Sequence, residues 1–399
     1  MTLDSLVADV VGRNPELEFY RAEIAAAKGG VRTAGQWENP ELSADIGSKR
    51  VWERGGRPLG DGLAWSVSMA QKFEYPGRIA LRKAIANRQL ELAQLGLRQF
   101  EAGLGARTRA LGYAVLIAQE KAAAAREVGE RFQALLEVLV QREPAGITPV
   151  LDQRIIEAST ITLQRRASQV AQGAQTALLE LNQLRGQPPA AELRVSGSVH
   201  FATNLPALAE LTAAAGTNNF EVRQREVELA QQGFRVQLSR NERYPSVTVA
   251  PFYASEKAND EQRIVGVGLS VPLPLWNRNG GSIEASQARL QQAEASLRAT
   301  WRDVERRVVE HALALQTKLD EMSRWRADAQ DQFRDAAAMA DRHYRLGAVP
   351  VTTYVEMQMR YLDALEALLA TRSEALEHRQ ALELLTGVPL DKPAATRGR

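Results

Sequence analysis

The side chains that most often carry catalysis or bind metals are sparse in this sequence. It contains no cysteine, which excludes disulfides, thiolate metal sites and cysteine nucleophiles. No two histidines have the spacing of four residues that lets a helix present a metal-binding pair. We therefore interpret the histidines as surface or packing residues: His200, His311, His343 and His378.

Two local motifs resemble binding sites only superficially. Met357 and Met359 could offer thioethers to Cu(I), but on a helix they point about 200° apart, which favours core or interface packing. The segment 277–281 (Asn-Arg-Asn-Gly-Gly) lacks the Lys-Ser/Thr that follows the glycines of a P-loop, and we interpret it as a bend between a strand and a helix. No Ser-His-Asp arrangement can be argued from spacing, so the sequence predicts no enzyme, no cofactor and no resident metal.

Charge and hydropathy exclude further classes. Lys and Arg number 50 against 48 Asp and Glu, so bulk electrostatics give no support for a nucleic-acid partner. No run of 18 apolar residues predicts a membrane-spanning helix. The N-terminus lacks a basic region followed by an apolar stretch, so we expect any leader of an exported protein to be missing from this sequence.

The most informative element is the segment 63–75, in which apolar residues occupy almost every second position. Its alternation predicts a strand with one apolar face and one small or polar face. A length of about 10 residues or more is typical of a tilted transmembrane strand, although a soluble sheet could use the same pattern. Similar segments occur at 41–52, 245–255 and 264–273.

Each of these four segments has an aromatic residue within three residues of a proline at the end that joins a helix. Aromatic rings at a common level are typical of a membrane interface, whereas a single aromatic next to proline is a common strand terminator. Four occurrences favour the membrane interpretation. The predicted interface aromatics are Trp37, Tyr75, Tyr244 and Trp276.

The chain repeats itself at a spacing slightly above 200 residues. Asn14-Pro15-Glu16-Leu17 returns as Asn219-Phe220-Glu221-Val222, and both halves end with Gly and a nearby Pro, at Gly186 and Gly387. We predict a first repeat at 1–190, a linker at 191–218, a second repeat at 219–390 and a disordered tail at 391–399. The linker is expected to hold a β-like stretch at 193–199 and a helix at 205–215.

Each repeat is predicted to run helix, strand, strand, long helix, turn, helix. In each half the long helix should match the combined length of the two shorter ones, with the strand hairpin at one end and the interhelix turn at the other. The predicted helices are 15–36, 78–142 and 149–185 in the first half, and 220–243, 282–346 and 351–386 in the second.

Strand number predicts the assembly. Four strands cannot close a barrel, a bilayer tolerates no open sheet edge, and a closed bilayer barrel needs at least about 8 strands. Several copies would therefore share one barrel under cyclic symmetry, with two as the minimum and three giving a roomier pore.

The duplicated hairpins, the Asn-Pro-Glu-Leu box, Pro76-Gly77-Arg78 and the turn Tyr344-Arg345-Leu346-Gly347 resemble the TolC-like outer-membrane efflux family. The segment 71–78 resembles its heavy-metal, CzcC-like branch. The resemblance implies a mainly α protein with a membrane β-barrel part: a homotrimer with a twelve-stranded outer-membrane barrel and a periplasmic α-barrel. It also implies a periplasmic adaptor and an inner-membrane, proton-driven RND-type pump as partners, with export of metal cations or small toxic compounds.

The resemblance further implies an acidic gate near the tips of the helical hairpins. Glu356 matches a gate carboxylate, Thr353 stands where many members have a second one, and Asp152 lies at the equivalent place in the first half; it could equally cap its helix. Apolar turn residues point to adaptor contact, against simple closure of the hairpin. These tip residues are Ala145, Gly146, Ile147, Thr148, Gly347, Ala348, Val349 and Pro350.

Two other functions stay open at this point. One is the same duct serving protein or peptide secretion, and the other is a soluble coiled-coil scaffold whose four strands form a small protein-binding sheet. The duct interpretation predicts a small or polar pore face on the strands, composed of Ser43, Asp45, Lys49, Ser66, Ser68, Lys72 and Glu74.

Overall fold

A computed structural model describes residues 1–142, 150–197, 205–326 and 328–390. The described residues form nine helices and four strands. The helices are α1 (Leu3–Arg13), α2 (Leu17–Ala34), α3 (Arg78–Arg142), α4 (Val150–Leu184), α5 (Leu208–Asn218), α6 (Phe220–Asn241), α7 (Gly280–Ser323), α8 (Ala329–Arg345) and α9 (Val351–Thr386). The strands are β1 (Glu41–Trp52), β2 (Pro58–Phe73), β3 (Val247–Lys257) and β4 (Glu261–Ser270). No helix in the described ranges is long and apolar enough to cross a bilayer.

The chain divides into two compact units, each built from both halves of the sequence. The helical unit comprises Met1–Phe19, Gly96–Val222 and Trp301–Arg399, and the sheet unit comprises Tyr20–Leu95 and Arg223–Thr300. The helical unit has a core in which apolar residues at helical spacing interlock, including Leu6 of α1, Phe132 of α3, Ile156 of α4 and Leu369 of α9. Burial of these faces, rather than helix propensity, stabilises such long helices.

The repeated Asn box closes each half of the helical unit in the same way. Asn14 Nδ2 donates to the carbonyl of Leu184 at 2.9 Å, and Asn219 Nδ2 donates to that of Leu385 at 3.0 Å. Each Asn Oδ1 also accepts from the backbone N–H two residues later. The side chain thus caps the start of one helix and satisfies a carbonyl left free at the end of another. This equivalence supports the predicted internal duplication.

The sheet unit contains one antiparallel sheet in the order β1-β2-β3-β4. Directly paired residues of an antiparallel sheet lie on the same face. Ile46 pairs with Trp65, Val67 with Tyr253 and Tyr253 with Val265, which aligns apolar residues across all four strands.

The observed helices and strands lie within five residues of the predicted bounds, with the largest difference at the start of β2, and helix α1 was not among the predicted helices. Two predictions are wrong. The helix predicted at 282–346 is interrupted: after α7 the backbone N–H groups of Arg324 and Trp325 bond to carbonyls three residues back, and the carboxylate of Asp328 accepts from Arg326 and Gln332. Residues 193–197 form no strand; among the described residues, this stretch bonds to Met1 through Ser196 N–H and Arg194 C=O. Residues 198–199 and the tail at 391–399 lie outside the described residues.

Candidate functional site

One face of the sheet is apolar and exposed. The alternating residues of β2 that the sequence placed on an apolar face are exposed, while Ala64, Ser66, Ser68 and Ala70 between them are less so. Apolar side chains of the edge strands are even more exposed, since Ile46 of β1 and Val265 of β4 are each 80% exposed. A water-soluble sheet buries its apolar face, whereas this sheet exposes its apolar face. The exposed apolar residues of the strands include Leu42, Ile46, Leu63, Trp65, Val67, Met69, Phe73, Tyr253, Val265, Val267 and Leu269.

The opposite face carries the small and polar residues predicted to line a pore. Ser43 pairs with Ser68, and Ser66 Oγ donates to the carboxylate of Asp45 at 3.0 Å. Lys49 forms an ion pair with Glu256 at 2.7 Å. The structure therefore places these side chains on one face and leaves that face hydrophilic.

The polar face carries one aromatic ring. The ring of Phe252 lies against Gly266 on the neighbouring strand, where an added Cβ would come within 2.6 Å of the ring. Glycine at this position therefore provides space for an aromatic ring of the same sheet.

Charged residues fix the junction between strands and helices. Glu74, which follows β2, accepts two hydrogen bonds of 2.8 Å from Arg82 of α3. Lys72 pairs with Glu38 at 3.0 Å. Arg78 donates to the backbone carbonyls of Asn241 and Tyr244. These bonds hold the start of α3 against the ends of β2 and α6.

The predicted interface aromatics lie at the same junction. Tyr75 and Tyr244 stack with ring centroids 4.4 Å apart, and Trp37 packs edge-on against Phe73 at 5.8 Å. Trp276 is 94% exposed. The stacking of Tyr75 on Tyr244 could not be predicted from the sequence, because the two residues lie in different halves of the chain.

The bend at 277–281 behaves as predicted. Asn279 adopts a positive φ of 60°, its N–H bonds to Asn277 Oδ1 and its Nδ2 donates to the carbonyl of Ser239 at 2.8 Å. Asn tolerates this conformation better than most residues. Helix α7 begins at the next residue.

The predicted gate residues lie on the surface of the helical unit without a cluster around them. Glu356 and Thr353 are exposed on α9, and Glu356 faces Arg360 at 3.7 Å. Asp152 is half-buried in the first turn of α4. Within the described ranges, no group of three or more His, Cys, Asp or Glu side chains could hold a metal ion.

The second tip has the geometry of a tight helical hairpin. Gly347 has a φ of 73°, which favours glycine, and Pro350 caps the start of α9. Ala348 and Pro350 are exposed and Val349 is half-buried. The first predicted tip, Ala145 to Thr148, lies outside the described residues.

A buried polar network near this tip was missed by the sequence reasoning. Gln358 of α9 is fully buried; its Nε2 donates to the carbonyl of Ala337 in α8, and its Oε1 accepts from Arg131 of α3 at 3.0 Å. Arg131 also pairs with Glu127 at 2.7 Å. Burial, and next the negative charge of Asp341, raise the pKa of Tyr354 beside this network. The sequence offered one signal for this network: Gln358 is a polar residue on a helix face whose other residues are buried.

A histidine pair was also missed. His311 of α7 and His378 of α9 bring their Nδ1 atoms to 3.1 Å. Burial lowers the pKa of His311, and a positive charge on His378 lowers it further. Because the two residues lie far apart in sequence and on different helices, spacing along one helix could not reveal them.

Comparison with known proteins agrees with this architecture. A family model described as "Outer membrane efflux protein" matches residues 211–388. The cobalt-zinc-cadmium resistance protein CzcC of Cupriavidus metallidurans is 23% identical over 294 residues, which cover 74% of this chain and 68% of that protein.

Three solved structures share the fold over nearly the whole chain. CusC gives a TM-score of 0.75 at 14% identity, covering 96% of this chain and 91% of its own. A membrane protein from Pseudomonas aeruginosa gives 0.76 at 18% identity, with 98% and 92% coverage. The Campylobacter jejuni CmeC outer membrane channel gives 0.73 at 11% identity, with 96% and 85% coverage. The second half of the chain therefore matches the outer membrane efflux protein family, and the whole chain shares the fold of these solved structures.

Proposed function

We propose that three copies of the chain form the exit duct of a tripartite efflux system, which conducts its cargo passively from the periplasm to the outside. The observation that supports this proposal is the sheet, because its apolar face is exposed across four strands while its polar face carries Ser43, Asp45, Lys49, Ser66 and Ser68. The chain supplies a wall and a gate, and an inner-membrane pump supplies the energy.

The open edges of the sheet require more than one copy of the chain. Among the described strands, β1 and β4 each pair on one side only. Lipid offers no partner to free backbone N–H and C=O groups, so both edges must be closed by other copies. Three copies with four strands each give twelve strands, which exceeds the minimum of about 8 for a bilayer barrel.

Disulfide trapping tests this arrangement directly, since these 399 residues contain no cysteine. Cysteines at Ala44 of β1 and at Val267 or Leu269 of β4 should form bonds between copies and give covalent dimers and trimers after oxidation. The control is Leu42→Cys with Met69→Cys, which pair within one sheet and should give only an internal bond.

Two results would contradict the duct. One is a purified chain that stays monodisperse in plain buffer without detergent, which would favour the soluble scaffold. The other is edge cysteines that bond only within one copy. Either result would show that the exposed apolar face does not meet lipid in a shared barrel.

We propose heavy-metal cations as the cargo, on the basis of the relative named for cobalt, zinc and cadmium resistance. The proposed gate residues are Glu356, Thr353 and Asp152. Three copies of Glu356 around a narrow opening would focus a negative potential and admit cations preferentially. Arg360, at 3.7 Å, partly offsets this charge, so the balance at the gate is sensitive to one substitution.

Glu356→Gln should therefore lower the preference for cations in planar bilayers, measured as a smaller reversal potential under a salt gradient. The matched control is Glu377→Gln, an exposed carboxylate on the same helix. An unchanged reversal potential for Glu356→Gln would remove this residue from the gate. Cargo is tested separately by metal resistance in cells that lack their own duct.

We also propose that the hairpin tips bind a periplasmic adaptor, which connects the duct to an RND-type pump. Leu346 is 81% exposed beside Gly347, and an apolar side chain at a loop tip is typical of a contact surface. Leu346→Lys should abolish resistance in cells while leaving single-channel conductance intact. Loss of both would indicate damage to the hairpin instead of loss of a partner.

A further inference from the structure

A cavity in the sheet unit has a charge pattern that the duct function does not require. It lies between α3, α6 and α7 and has a volume of about 540 Å³. Arg82, Arg235 and Arg289 line it, one from each helix, and no carboxylate lines it. Pockets of this size hold small ligands in many proteins.

Two of the three arginines are free to bind a ligand. Arg82 is held by Glu74 through two hydrogen bonds of 2.8 Å, which neutralises its charge. Arg235 and Arg289 form no hydrogen bond or ion pair with any other residue that the structure describes. The cavity therefore carries two uncompensated positive charges.

The rest of the cavity wall is fixed by its own hydrogen bonds. Gln231 Nε2 bonds to Gln89 Oε1 at 3.2 Å, and the hydroxyls of Ser239 and Ser286 lie 2.8 Å apart. Ser286 Oγ also donates to the carbonyl of Ser282 at 2.8 Å. A wall ordered in this way loses little entropy when a ligand binds.

We propose that this cavity, named the arginine cavity, binds a phosphate group. Planar guanidinium groups donate two parallel hydrogen bonds to phosphate oxygens, and they are well suited to a doubly charged anion. A metal cation would be repelled by the same charges. An apolar ligand would offer these guanidinium groups no hydrogen-bond partner.

The position of the cavity allows two sources for the phosphate. Arg82 lies six residues after Pro76 and Ser239 lies five residues before Tyr244, so the cavity begins roughly 10 Å along the helices from the interface aromatics. A phospholipid head group could reach this level, and so could a soluble phosphate compound. The inference goes beyond the proposed efflux function and does not depend on the cargo.

The test uses the purified full-length protein in detergent, with two probes. Inorganic phosphate is titrated by calorimetry against a chloride control, and retention of phosphatidylglycerol against phosphatidylcholine is measured by native mass spectrometry. Arg235→Gln with Arg289→Gln should weaken binding of the accepted probe roughly tenfold or more. Arg298→Gln, an exposed arginine on α7 outside the cavity, should bind as the wild type does.

The two probes identify the source. Binding of phosphatidylglycerol alone assigns the cavity to a lipid head group, and binding of inorganic phosphate assigns it to a soluble compound. Binding of neither probe would overturn the proposal, as would equal binding by the double variant and Arg298→Gln. If the wild type binds neither probe and the double variant dissociates into monomers, a neighbouring copy fills the cavity instead of a phosphate group.

Discussion

The lipid-facing role of the sheet can be tested at two adjacent residues of one central strand. Val67 and Ser68 lie next to each other in β2, on the apolar and the polar face respectively. They differ in depth by only about 3.3 Å along the strand. Val67→Arg and Ser68→Arg therefore place the same charge at the same level on opposite faces.

The expected difference is large. An Arg side chain on the lipid face near the middle of a bilayer costs about 2–4 kcal/mol per copy, whereas an Arg on the pore face stays hydrated. A trimer carries the substitution three times, so Val67→Arg should cost about 6–12 kcal/mol in total. In a soluble sheet with Val67 already exposed to water, the same substitution would cost close to nothing.

The assay is assembly in the outer membrane, measured as the fraction of trimer that survives unheated electrophoresis, together with urea unfolding in lipid vesicles. Val67→Arg should lower the trimer fraction and the urea midpoint strongly, and Ser68→Arg should change both only slightly. Equal loss in the two variants would refute the assignment of faces. No loss in Val67→Arg would refute contact with lipid.

Two further predictions concern the helical unit. Gly387 has a φ of 65°, and a Cβ there would come within 2.9 Å of Asn218 Cβ, whereas a Cβ on Gly347, with a φ of 73°, would meet nothing within 4 Å. Gly387→Ala should therefore lower the free energy of unfolding by more than the roughly 1–2 kcal/mol expected for Gly347→Ala. Equal urea midpoints for the two variants would contradict this prediction. His311 has a pKa below its ordinary value because of burial and, next, His378, while neighbouring Glu310 opposes the shift and Arg307 adds to it. In the unfolded chain, His311 has the ordinary pKa of about 6.5 and therefore binds a proton more readily than it does in the folded chain. The melting temperature should therefore fall as pH drops from about 7.5 to 5.5. His311→Gln should reduce that fall, and an unchanged pH dependence would assign the fall to other groups.

Local sequence patterns predicted most of the fold, because each such pattern has a direct physical cause. The alternation at 63–75 identified β2 and its exposed face, and glycines with positive φ marked the ends of α4 and α9. The break between α7 and α8 was missed because residues 322–328 contain neither Gly nor Pro. Hydrogen bonds that the Asp328 carboxylate accepts from Arg326 and Gln332 stabilise that break, and periodicity in the sequence does not reveal such bonds.

The candidate sites were harder to predict because they combine residues from distant parts of the chain. The His311–His378 pair, the Gln358 network and the arginine cavity each join helices separated in sequence. A one-dimensional pattern identifies which face a helix buries, but not which residue of another helix will meet it. The gate at Glu356 came from family resemblance, and its role stays a prediction.

Membrane insertion and trimerisation of the proposed duct should be a single event, for a reason that lies in the sheet edges. β1 has 12 residues and β4 has 10, and about half of each strand directs its N–H and C=O groups to the open side. Each unpaired group in hydrocarbon costs several kcal/mol, so one inserted copy would bear a penalty on the order of tens of kcal/mol. Pairing β4 of one copy with β1 of the next removes this penalty completely only when the ring closes. Inserted monomers and dimers should therefore be undetectable, and a stable inserted monomer would contradict the shared barrel.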